Sequence, residues 1–79
     1  TISFSIDGEW MIDQIIDWFG FDFKTENKDG KIIVTLKASP SAMEYWAMQY
    51  LNNVEILSPT SLREQIATNL NSAVKKYSI

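Results

Sequence analysis

Asp13 and Asp17 stand four residues apart, which on a helix puts two carboxylates on one face. Alone they fall short of the oxygen shell that magnesium or calcium needs, so they read as a solvated acidic face able to meet a basic patch. On the same helical wheel Trp10 falls with Asp13, Gln14 and Asp17, opposite Met11, Ile15 and Phe19. Tryptophan is enriched at interface hot spots, so Trp10, Asp13 and Asp17 form a candidate partner surface. The competing reading folds Trp10 over an edge of the core. Strand alternation places Lys24 and Lys37 on one sheet face with Ser3, Ser5 and Thr35. Lysine offers a mobile point charge for phosphate, so this face is a candidate contact for a small anion or nucleotide effector, or else an ordinary wet sheet face. Ile33 and Leu57 share it, which predicts that it is partly covered. Arg63 sits in the first turn of a helix, where the dipole favours acids. It therefore calls for a bidentate carboxylate or phosphate partner, or an intradomain pair with Glu55 or Glu64.

The rest of the composition restricts the chemistry. The chain has 79 residues, with neither histidine nor cysteine. That removes the commonest general base, thiolate nucleophiles and sulfur ligands together. No cofactor, metal or catalytic residue is expected, and the chain reads as a non-enzyme. A net charge of −3 with scattered basic residues lacks the field that nonspecific phosphate binding needs, so direct DNA contact is not expected. Ten aromatic residues among 46% hydrophobic ones supply a core despite the short length. No apolar run approaches the roughly 20 residues of a membrane span, and a cytoplasmic location is expected. The chain opens at Thr1 directly on a strand pattern, which reads as one domain, residues 1–79, cut from a longer protein.

The elements that would position these side chains follow from periodicity. Ile2, Phe4 and Ile6 alternate with serines as a strand. Asp7 is placed to cap a helix over 9–19 that Gly20 ends. Phe21, Phe23 and Thr25 mark a second strand with its phenylalanines inward. Asp29-Gly30 predicts a type I′ hairpin into a third strand carrying Ile32, Val34 and Leu36. Ser39-Pro40 opens the next helix, with Ser39 or Ser41 as its cap and a core stripe of Met43, Trp46, Ala47, Tyr50 and Leu51. Asn52-Asn53 provides a left-handed stop before a fourth strand over 54–57. The last helix, over 58–77, has Ser61 and Glu64 at capping-box spacing. Its apolar face of Leu62, Ile66, Leu70, Ala73, Val74 and Tyr77 must be buried on this sheet or on another chain, which adds Tyr77 to the candidate partner surface. The order β-α-β-β-α-β predicts an α+β ferredoxin-like sandwich with an extra C-terminal helix.

The run Val54-Glu55-Ile56-Leu57-Ser58-Pro59-Thr60-Ser61-Leu62-Arg63, leading into a helix that ends at Tyr77, resembles the WCX domain, the C-terminal extension of bacterial WYL-type transcriptional regulators. Trp18-Phe19-Gly20 before a strand, the Asp29-Gly30 hairpin and Trp46 are similar to that family too. The family usually carries a glycine before the fourth strand, where this sequence has Asn52-Asn53. The resemblance implies a ferredoxin-like fold and a parent with an N-terminal winged helix-turn-helix and a WYL domain that contact DNA. It also implies a role for this piece as a homodimerising, effector-sensing regulatory domain. An ACT-like module that binds a metabolite at a sheet or subunit interface is the alternative. An acylphosphatase-like enzyme would want a phosphate-cradling arginine where the chain has Asp7, Gly8 and Glu9.

Overall fold

The computed structural model describes residues 1–78. β1 (Ile2–Ile6) buries Ile2, Phe4 and Ile6 on one face, as its alternation requires. The following segment is not one helix but a 3-10 turn over Glu9–Met11 and then α1 (Ile12–Phe19). Asp7 does not cap it. The turn has no side-chain cap, and Asp7 instead accepts from Asn53 Nδ2 at 3.3 Å while its N–H donates to the Asn53 carbonyl. The contact ties the end of β1 to the residue just before its sheet neighbour, the strand over Val54–Ser58.

Gly20 closes α1 at φ 81°, donating its N–H to the Ile16 carbonyl at 2.9 Å. β2 (Phe23–Lys28) then starts two residues later than the alternation suggests. Phe21 lies in the bend before it and is 81% exposed, so its expected core position is corrected. The Phe23 N–H donates to the Phe21 carbonyl at 3.0 Å, so the chain bends between the two phenylalanines and only Phe23 of the pair points inward. Asp29 (φ 53°) and Gly30 (φ 80°) form the two-residue turn to β3 (Lys31–Leu36), with Lys28 opposite Lys31.

α2 (Pro40–Gln49) is capped by Ser39, whose Oγ accepts from the Ala42 N–H at 3.2 Å. Ser39→Ala should therefore cost about 1 kcal/mol, read as a lower urea midpoint at unchanged m-value. Ser41, at capping-box spacing from Glu44, lies inside the helix and is not the cap, and Glu44 instead accepts from Asn69 Nδ2 at 2.6 Å. The helix ends without a left-handed asparagine. The N–H groups of Asn53 and Val54 both donate to the Tyr50 carbonyl, and Asp29 is the non-glycine residue at positive φ among the described residues. That early end leaves Leu51 outside the helix and exposed.

β4 (Val54–Ser58) leads into α3 (Thr60–Tyr77). Pro59 occupies the cap position with no side-chain bond, and Ser61 already lies within the helix, so the Ser61/Glu64 box does not form. The fold is α+β: a four-stranded, fully antiparallel sheet in the order β2-β3-β1-β4 with three helices. Its core joins Phe4, Val34 and Ile56 from the sheet to Met11, Ile15, Met43, Trp46, Leu62 and Ile66 from the helices. The apolar face of α3 is only half used. Leu62 and Ile66 are buried and Leu70 packs partly, whereas Val74 and Tyr77 are exposed. An 18-residue helix is about 27 Å long, and α3 accounts for a molecule measuring 41 × 25 × 22 Å.

Candidate functional site

The sheet face away from the core is laid out by register. One row across it runs Glu26, Ile33, Ser5, Glu55, and the next runs Lys24, Thr35, Ser3, Ser58. Lys24 and Lys37, with Thr1, Asp22 and Thr35, line one shallow recess of about 340 Å³, so a carboxylate stands among its lysines. Both lysines are exposed. Leu57 lies at the irregularity where β4 shifts register against β1, and it is also exposed.

Arg63 is not part of that recess. It lies beyond β4 at the opposite side of the sheet from β2, about 14 Å away at one strand spacing per step. Its Nη1 donates to Glu55 Oε2 and to the Ile56 carbonyl, both at 2.8 Å. The pair is half exposed, so the ion pair itself contributes at most about 1 kcal/mol. Its structural effect is on the strand, because Arg63 occupies a carbonyl of the sheet's outer strand. Beside it an apolar groove of about 310 Å³ runs between Ala47, Leu51 and Val54 on one side and Ile66, Ala67 and Leu70 on the other.

Trp10 lies in the 3-10 turn, 57% exposed, and its ring rests over Gly8, where a Cβ would come within 3.1 Å of Trp10 Cδ1. Asp13 and Asp17 are exposed on α1. Gln14, which shared their wheel position, instead faces α2 and accepts from the Tyr50 hydroxyl at 2.9 Å. Tyr77 is at the far end of α3, apart from this group in sequence and element. Periodicity alone missed the exposed aromatic pair Trp18 and Tyr45, whose ring centroids lie 5.7 Å apart. Each residue falls beside its own helix's apolar stripe. Only the side-by-side packing of α1 and α2 brings them together, so no local pattern signals the pair.

Among the described residues no group of three or more acidic side chains could hold a metal ion, and no helix is long and apolar enough to cross a membrane. The family model of the WCX domain matches residues 1–74, from the first strand through most of α3. The chain belongs to the WCX domain family. No curated protein and no solved structure matches it. Within this WCX domain, Trp10, Asp13, Asp17, Lys24, Lys37 and Arg63 fall inside the matched span and Tyr77 falls beyond it. The WCX match thus covers both the lysine recess and the Arg63 edge, and it leaves out the exposed tip of α3.

Proposed function

We propose that this WCX domain is the regulatory and pairing domain of a WYL-type transcriptional regulator. It holds two subunits together and relays an effector signal to DNA-binding domains elsewhere in the chain. The observation that carries the reading is the family match across residues 1–74. The strand order β2-β3-β1-β4, antiparallel throughout, supports reading the fold as a ferredoxin-like sandwich with α3 added. The absence of histidine and cysteine from the sequence supports a role without catalysis. Exposed Trp10 and the exposed Trp18–Tyr45 pair support contact with a partner. For the effector, the recess of Lys24, Thr35 and Lys37 supports an anion, with lysine ammonium groups and a threonine hydroxyl as its donors.

Molar mass by size-exclusion chromatography with light scattering is the first test. A concentration-independent mass near twice the 9.1 kDa chain is expected. A mass that stays at one chain up to millimolar protein refutes the pairing role.

A further inference from the structure

The two outer strands of the sheet are treated differently. Along β4 lies α3, and Arg63 occupies the Ile56 carbonyl. β2 is the other outer strand, and all its residues after Phe23 are exposed. It contains no proline and pairs with β3 in unbroken register from Phe23–Leu36 to Lys28–Lys31, so no bulge turns it away. Proline and bulges are common devices that keep an edge strand from pairing.

Geometry says which backbone groups are free. Across a two-residue I′ turn the flanking residues, Lys28 and Lys31, form the narrow hydrogen-bonded pair. The bonds to β3 are then made by Lys24, Glu26 and Lys28, and the amides of Phe23, Thr25 and Asn27 point out of the sheet. The Phe23 N–H agrees with this, since it donates to the Phe21 carbonyl at 3.0 Å instead of to β3, which leaves the amides of Thr25 and Asn27 as the free donors of the edge.

We propose that β2 is the dimerisation edge, pairing antiparallel with β2 of a second copy in a register centred on Thr25. This rests on the pairing role proposed above and names its surface. A two-fold axis through Thr25, normal to the sheet, keeps the core faces of both copies on one side. It sets Thr25 opposite its own copy, Phe23 opposite Asn27 and Lys24 opposite Glu26. Lys24 of each copy then faces Glu26 of the other, an opposite-charge pair made twice by the symmetry. Moving the centre to Lys24 sets Lys24 against itself. Moving it to Glu26 sets Glu26 against itself and Lys24 against Lys28. Half-step shifts place inward side chains opposite outward ones. The charge pattern of the strand is therefore self-complementary in one register and self-repelling in its neighbours.

On the core side, Ile12, Thr25, Asn27 and Ile32 line a recess of about 390 Å³ along this edge, which a second copy's flank would close. Glu9 and Asp13 also line it and work against association, so the backbone ladder and the charge pairs carry the contact.

The test is sedimentation equilibrium on the 79-residue chain, with circular dichroism as the check on folding. Lys24→Glu and Glu26→Lys should each weaken the dimer about tenfold, because each turns both symmetry-related pairs from attractive to repulsive. An equimolar mixture of the two variants should recover wild-type affinity as a heterodimer, and so should the double swap K24E/E26K. Thr25→Pro should leave the spectrum intact, since its N–H is not bonded to β3, and should abolish the dimer. A wild-type dimer indifferent to all of these variants overturns the β2 edge while leaving a pairing role on another surface. A wild type that stays monomeric overturns both.

Discussion

Trp46→Ala is expected to lower stability by about 3–5 kcal/mol, the range for truncating a buried large aromatic. Trp46 is fully buried, with its ring centroid 5.5 Å from Phe4, 5.6 Å from Phe19 and 5.2 Å from Tyr50. It is the residue at which β1, α1 and α2 meet, so the cavity left by alanine cannot be filled from one side. A domain this size has on the order of 4–12 kcal/mol in total, and the variant should be largely unfolded well below the wild-type midpoint. Trp46→Phe should behave differently. The indole Nε1 is buried without a hydrogen-bond partner, an arrangement that costs free energy in the folded state. Phenylalanine keeps most of the ring contacts and removes that donor, so a loss under about 1.5 kcal/mol is expected. Urea titrations of the three proteins separate the contributions. A phenylalanine variant as unstable as the alanine one would mean that the indole's second ring, and not its unpaired N–H, dominates.

The second large effect lies in α3. Leu62→Ala should cost about 2–4 kcal/mol, and Ile66→Ala a similar amount, because both side chains are in the shared core. Val74→Ala and Tyr77→Ala should stay within about 0.5 kcal/mol in the isolated subunit, since both positions are exposed. Amide hydrogen exchange should show the same gradient along one helix. Protection should be near global for Ile66 and should fall beyond Leu70, where backbone hydrogen bonds lose their apolar cover. Uniform protection to Tyr77 would show that a partner covers the end of α3.

Most element types were legible because local chemistry decided them. The β1 alternation, the Asp29-Gly30 turn, Ser39-Pro40 and the core stripe through Met43, Trp46 and Ala47 are each fixed by a few neighbouring residues. The misreadings share one cause, since they lie where two elements meet. Asp7 was free to cap α1, yet Asn53, 46 residues further along the chain, takes both its side chain and its N–H. Phe21 keeps the strand's period, but its carbonyl accepts the Phe23 N–H, so the chain bends there and β2 begins only at Phe23. Ser61 and Glu64 have box spacing, but the chain enters α3 at Thr60, which puts Ser61 inside the helix.

The candidate surface divides the same way. Which side chains are charged, aromatic or absent was settled by the sequence: the lysines, Trp10, the acidic pair, and the lack of histidine and cysteine that directs the reading toward binding. Which of them meet was settled only by the tertiary structure. Lys24 and Lys37 share a recess because β2 and β3 are hydrogen-bonded neighbours, whereas Arg63 is held on the far side of the sheet by Glu55 and the Ile56 carbonyl. Strand order decides that β2 is an outer strand whose Thr25 and Asn27 amides face away from β3 and that β4 has α3 beside it. Periodicity reports which face of a strand is apolar, but a strand's rank in the sheet depends on long-range pairing, and no local pattern encodes it.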